Sequence, residues 1–300
     1  MFSGYVNDRF NSYTVGGSLH LKPTFTSTIF GEAFLTSGRV VIPPNECTQD
    51  GWYGCDRQGT PENLINPIRS ARVDSWDKFH FKYGNLEVRA KMPAGDWIWP
   101  ALWLMPRYSV YGGWPTSGEI DLMESRGNRG LFNGDINVGV EQAGSTMHFG
   151  PTPGGGSAWP TAHFTRNQVP GYNAGFHVYR LEWTPTGIRF LIDGNLVGTV
   201  DAGRGFFERG GFSGNNPWAA GSIMAPFDQE FFIIFNNAVG GTNFFPDPFR
   251  NVGPTKPWHN DSPTAMRDFW NGRSRWEPTW NMQFTDDSHL QVDYVRVWAL

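Results

Sequence analysis

Polar and apolar residues alternate with period two along much of this chain. Gly84-Asn85-Leu86-Glu87-Val88-Arg89-Ala90-Lys91 sets Leu86, Val88 and Ala90 on one side and Glu87, Arg89 and Lys91 on the other, as a half-buried strand requires. Gly187 to Val197 predicts two strands around an Asp193-Gly194-Asn195 turn. Phe231-Phe232-Ile233-Ile234-Phe235 is a continuous apolar run, suited to a strand covered on both faces. Val292 to Trp298 alternates again near the chain end. Helical periodicity is almost absent, with Asp261 to Arg275 the candidate for a short helix. These elements predict an all-β sandwich of two sheets. Without a repeat, low-complexity tract or linker, residues 1–300 read as a single domain.

Long Gly/Pro-rich pieces, Gly150 to Pro160 and Pro246 to Pro263, break the alternation. Loops of that length in a compact domain are usually functional, and on a sandwich they can wall a groove. The composition agrees: 37 Gly, 22 Pro and 16% aromatic residues fit short strands joined by turns. A net charge of −4, with Lys and Arg scattered, argues against a nucleic-acid or anionic-lipid partner. No apolar run reaches membrane-spanning length. Met1-Phe2-Ser3-Gly4-Tyr5 lacks the charged start and apolar stretch of a secretory leader. The two cysteines, Cys47 and Cys55, are spaced to close a small loop. That spacing suggests an extracellular disulfide, with two free thiols as the alternative. Cys and His show no zinc-type spacing, so no metal-ligating residue is assigned.

The most informative segment is Gly118-Glu119-Ile120-Asp121-Leu122-Met123-Glu124-Ser125. A regular strand puts Glu119 and Asp121 on one face and Glu124 on the other. A β-bulge within Leu122-Met123 would absorb the extra residue and bring Glu124 back to the shared face. The two glutamates would then stand roughly 13 Å apart at Cα, four strand steps. With each side chain leaning inward by roughly 3–4 Å, the gap approaches the ~5–5.5 Å of a retaining glycosidase pair. An ordinary solvated strand face can also carry acids, but it mixes charge signs because like neighbours repel. Here no Lys or Arg is interleaved.

Asp96-Trp97-Ile98-Trp99-Pro100-Ala101-Leu102-Trp103-Leu104 sets Trp97, Trp99 and Trp103 on one parity of a straight strand, and Trp114 follows five residues before Glu119. Indole rings offer flat apolar surfaces with a polar handle, which suits the C–H faces of sugars. Burial in the core is the competing use of the same residues. His148, in Thr146-Met147-His148-Phe149-Gly150, is placed either to meet a sugar hydroxyl or tune an acid, or to serve structure alone.

Gly118-Glu119-Ile120-Asp121-Leu122-Met123-Glu124 resembles the signature of glycoside hydrolase family 16. Ser70-Ala71-Arg72, Phe81 to Lys91, Trp99 to Leu104, His177 to Pro185, Asn236 to Gly241 and Asp293 to Val297 are similar, in order, to its laminarinase branch. The resemblance implies a β-jelly-roll sandwich with a concave substrate cleft. It implies retaining hydrolysis of β-1,3-glucan in the laminarin manner, with Glu119 as nucleophile, Glu124 as acid/base and Asp121 as their assistant. Two residues between Asp121 and Glu124 resemble β-1,3-glucanases; bacterial mixed-linkage glucanases usually have one. By family position, Asn11, Arg72, Trp99, Trp103, Trp114 and His148 are implied glucan contacts. The Cys47–Cys55 region resembles a disulfide loop of animal members. The same branch includes glucan-recognition proteins that keep the sandwich but lack the catalytic carboxylates, and a binding-only role or action on mixed-linkage glucan are the alternatives. Family members usually carry a further strand and loop before the segment matching Phe10-Asn11-Ser12-Tyr13, where this chain has nine residues. The resulting expectation is an extracellular monomer that requires no cofactor, with a structural calcium allowed on the convex face but no ligands placed.

Overall fold

The segment of cleanest alternation forms the strand Gly84–Lys91, in which buried and half-buried residues alternate throughout. The computed structural model describes residues 1–47 and 50–300. The predicted hairpin is present as Gly187–Ile192 and Asn195–Asp201. Asp193 and Gly194 between them take φ of 50° and 76°, the pair of positive values that a two-residue hairpin turn needs. The apolar run extends to Phe231–Val239, and every residue of it is buried. Asp261 to Arg275 contains the helix Ala265–Asn271.

The terminal strand departs from simple alternation. Leu290–Trp298 pairs with Gly84–Lys91, and the register skips Asp293 where Arg89 faces Tyr294 and Ala90 faces Val292. That extra residue changes which side chains point inward, and Val295 and Trp298 remain exposed.

Among the described residues two seven-stranded sheets dominate. The first runs Asn195–Asp201, Gly187–Ile192, His177–Thr184, Gly84–Lys91, Leu290–Trp298, Ser18–Leu21, Ser12–Val15. The second runs His163–Asn167, Gln142–His148, Glu119–Ser125, Ile98–Pro106, Phe231–Val239, Arg72–Asp74, with His80–Phe81 also pairing with Phe231–Val239. Inward residues of both sheets share one apolar core: Leu86, Val88, Leu181 and Trp183 from the first, Leu102, Leu104, Ile120 and Met147 from the second. The fold is therefore the expected all-β sandwich.

A second core lies outside the two-sheet interface and is rich in rings. Phe25, Trp97, Trp258, Phe269, Trp276 and Trp280 pack together there, with Phe269 and Trp276 stacked at 4.5 Å. Part of Pro246 to Pro263 feeds this core through Trp258, so that loop has a packing role. Cys47 and Cys55 are bonded to each other, with Cα atoms 5.8 Å apart. The bond sits beside the small hairpin of Arg39–Val41 and Asp56–Gln58. No helix among the described residues is long and apolar enough to cross a membrane.

Candidate functional site

The site begins with a turn that only glycine fits. Gly118 takes φ 83°, and a Cβ there would lie 2.8 Å from Cε1 of Phe227. The chain then enters the strand Glu119–Ser125. Its register breaks as expected: Asp121 faces Trp103 and Met123 faces Leu102, leaving Leu122 extra. On the other side the pairing shifts between Asp121 and Glu124. Ile120, Leu122 and Met123 enter the core, each no more than 2% exposed. The bulge thereby returns Glu124 to the face of Glu119 and Asp121.

Each glutamate accepts a hydrogen bond from an indole. Trp114 Nε1 donates to Glu119 Oε2 at 2.5 Å, and Trp99 Nε1 donates to Glu124 Oε1 at 2.8 Å. Trp99 is itself fixed by a parallel stack on Phe244, ring centres 4.1 Å apart. The Arg126 guanidinium covers Phe244, with Cζ 4.1 Å from its ring centre, and Arg126 Nε donates to Phe244 O at 2.7 Å. Between the acids, His148 Nε2 lies 3.1 Å from Asp121 Oδ2. Across the ring, Ser157 Oγ is 3.3 Å from His148 Nδ1.

Removal from water raises all three carboxyls, and a neighbouring carboxylate adds to the rise of Glu119 and Asp121. Desolvation, then the Asp121 charge, pushes Glu119 well above the usual carboxylate range, while His148 and the Trp114 bond pull it partly back. Desolvation and the Glu124 charge push Asp121 well above its ordinary value, against a hydrogen bond with Glu119. Glu124 is raised by desolvation and lowered by the Trp99 bond, His148 and Arg126. Raised carboxyls held this close favour a state in which one is protonated beside another that is ionised.

The remaining sequence-assigned residues divide into three groups. Trp103 is half-buried on the same face of the second sheet and donates from Nε1 to Asn236 Oδ1 at 2.6 Å. Arg72 lies over the Trp103 ring, 5.1 Å from its centre, and Trp114 is 45% exposed. Trp99, Trp114 and His148 touch the acids, Trp103 faces Asp121 from the neighbouring strand, and Arg72 reaches this face only through Trp103. Trp97 breaks the expected parity: at φ 69° it precedes the strand Ile98–Pro106, and its ring is buried in the second core. Asn11 also departs from expectation. It is fully buried, and its amide donates to Lys22 O, Thr24 Oγ1 and Arg69 O. Asn11 thereby braces the N-terminal segment through Nδ2, while its buried Oδ1 has no hydrogen-bond partner.

Several site residues escaped the sequence reading. Phe244 and Arg126 are 118 positions apart, and no spacing links them. Asn236 sits in an Asn236-Asn237 pair whose spacing alone points to no role. Ser157 and Trp159 come from the Gly150 to Pro160 loop, which does reach the site: Trp159 approaches His148 with ring centres 6.5 Å apart.

Folding also gathers two groups of three side chains able to ligate a metal among the described residues: Glu119, Asp121 and His148, and separately His20, Asp286 and His289. Neither group suits the calcium that the family resemblance allows, since calcium takes six to eight oxygen ligands and each group includes imidazole.

Comparison with known proteins places this geometry in a family. The model of glycosyl hydrolases family 16 matches residues 64–214. The chain belongs to that family. A β-1,3-glucan-binding protein of Penaeus monodon is 46% identical across 100% of this chain and 82% of its own length. A β-1,3-glucan-binding protein 2 of Manduca sexta is 33% identical across 100% of this chain and 60% of its own length. Relative to that moth protein, this family 16 chain spans about three fifths of the length. Among solved structures, the laminarinase of Rhodothermus marinus superposes with a TM-score of 0.57 at 23% identity, covering 99% of this chain and 84% of that one. The endo-β-1,3-glucanase of Pyrococcus furiosus gives a TM-score of 0.59 at 22% identity, covering 99% and 80%. At that identity these two establish the shared fold.

Proposed function

We propose that this family 16 chain is a secreted, retaining endo-hydrolase of β-1,3-glucan. The observation that carries the reading is the bulge that sets Glu119, Asp121 and Glu124 on one face, with an indole N–H on each glutamate. In this reading Asp121 holds a proton and donates it in a hydrogen bond to Glu119, leaving Glu119 ionised as nucleophile. Glu119 attacks the anomeric carbon while the protonated Glu124 gives its proton to the leaving glycosidic oxygen. Glu124, now a carboxylate, takes a proton from water. That water attacks the same carbon, the bond to Glu119 breaks, and the sugar leaves with its starting configuration. Trp99, Trp103 and Trp114 supply ring faces for the sugar C–H surfaces.

The disulfide supports an oxidising, extracellular setting. The relatives' printed names favour a second reading, in which the same groove binds β-1,3-glucan without cleaving it. Laminarin incubated with the purified chain separates the two. Release of reducing ends, with the β-anomer formed first by proton NMR, supports hydrolysis with retention. Binding of laminarin without release at any pH from 4 to 8 would overturn it in favour of the binding role.

A further inference from the structure

A second cluster of titratable side chains lies across the sandwich from the carboxylates, where the terminal strand meets the N-terminal hairpin. His20 belongs to the strand Ser18–Leu21 and pairs with Gln291. His289 immediately precedes Leu290–Trp298, and its backbone N–H closes a turn on Asp286 O at 3.0 Å. The two imidazoles thus come from positions 269 apart in the chain.

Their nitrogens converge. His20 Nδ1 lies 3.2 Å from His289 Nδ1, and Asp286 Oδ1 lies 3.3 Å from the same atom. The ligand atoms of all three residues fall within 4.8 Å of one another. Tyr13 completes the surround: its ring stacks on His20 at 5.3 Å, and its Oη is 3.5 Å from His289 Nδ1. Zinc bound tetrahedrally at ~2.0–2.1 Å holds neighbouring ligand atoms ~3.3 Å apart, the scale of both short separations here.

We propose that His20, His289 and Asp286 form a structural zinc site, with Tyr13 Oη or a water as the fourth ligand. The donor set of two imidazoles and one carboxylate suits a borderline-soft divalent ion and not calcium. His20 and His289 are buried while the Asp286 side chain is 58% exposed, so the ion has an entry path from solvent. A bound ion would fasten the N-terminal hairpin to the last strand of the first sheet, a link between chain ends that no covalent bond supplies.

The test uses the full chain stripped by chelator and titrated with Zn²⁺ by calorimetry and with Co²⁺ by visible absorption. The expected results are one equivalent of Zn²⁺, an intense tetrahedral Co²⁺ spectrum, and a higher melting temperature with Zn²⁺ than without. Asp286→Ala removes an exposed side chain and should fold; it should weaken Zn²⁺ binding at least tenfold and diminish the Co²⁺ bands. His289→Gln should abolish both signals. Glu119→Gln, which alters the other candidate ligand group, should leave them unchanged. The proposal is overturned if wild-type chain binds no Zn²⁺, if Asp286→Ala binds as tightly as wild type, or if Glu119→Gln removes the bound equivalent.

Discussion

Trp99→Phe isolates one hydrogen bond at the candidate acid. Phenylalanine keeps a ring to stack on Phe244, now 4.1 Å from the indole, but cannot donate to Glu124 Oε1, which Trp99 Nε1 reaches at 2.8 Å. The bond is charge-assisted only when Glu124 is ionised, so its loss destabilises the carboxylate and not the acid. Bonds to charged groups contribute about 1.5–3 kcal/mol. At about 1.4 kcal/mol per unit, Glu124 should rise by about 1–2 pKa units beyond the upward shift that burial already causes. An acid that must be protonated to act loses activity as pH rises through its pKa, so the alkaline limb of the rate profile should move up by the same amount. The assay is kcat/KM for reducing-sugar release from laminarin between pH 4 and 9, wild type beside Trp99→Phe. An alkaline limb that stays in place, or moves down, would refute Glu124 as the proton donor governed by this indole.

Other consequences follow from the same contacts. Glu119→Gln should lower kcat on the order of 10⁴-fold or more, as loss of a nucleophile does, while melting temperature and laminarin affinity are kept; an active variant sinks the assignment. Asp121→Asn should stabilise the fold at pH 7. Native Asp121 binds its proton more tightly than the unfolded chain does, so wild type loses stability as pH rises from the unfolded value toward the native one. Melting curves should therefore show the gain at pH 7 vanish near pH 4, and a gain independent of pH contradicts the linkage. Replacing Cys47 and Cys55 together by Ser should cost about 2–3 kcal/mol for so small a loop, read from denaturant midpoints, with laminarin turnover unchanged.

Sequence reading succeeds where one segment carries the information. The bulge was legible because two acids at strand spacing and a third set one residue out of phase leave Leu122-Met123 as the place for an extra residue. The hairpin was legible because Asp193-Gly194 accepts positive φ. Parity failed at Trp97 because a backbone turn at φ 69° lies between it and Trp99, and alternation counts only within a continuous strand. Asn11 was illegible in a different way: its position resembles a site residue, yet it is fully buried and its Nδ2 is taken up by Lys22 O, Thr24 Oγ1 and Arg69 O, partners that no local spacing announces. The Phe244–Arg126 brace and the His20–His289 pair were illegible, since their partners are brought together by the closing of the sandwich and by nothing in local spacing.

The choice between hydrolysis and binding turns on what the carboxyls do to the protein's own stability. A neutral glucan is held by ring faces and hydroxyl partners, neither of which requires three acids beside one another. Gathering Glu119, Asp121 and Glu124 on one partly desolvated face works against folding at neutral pH, because desolvation raises all three and like-charge repulsion adds to Glu119 and Asp121. A groove that only binds gains nothing from that arrangement. A double displacement needs it: one carboxyl must be ionised while another nearby stays protonated, and two strongly coupled acids reach that state more readily than two independent ones. The strain on the trio is the physical reason to test the chain as an enzyme before treating it as a binding protein.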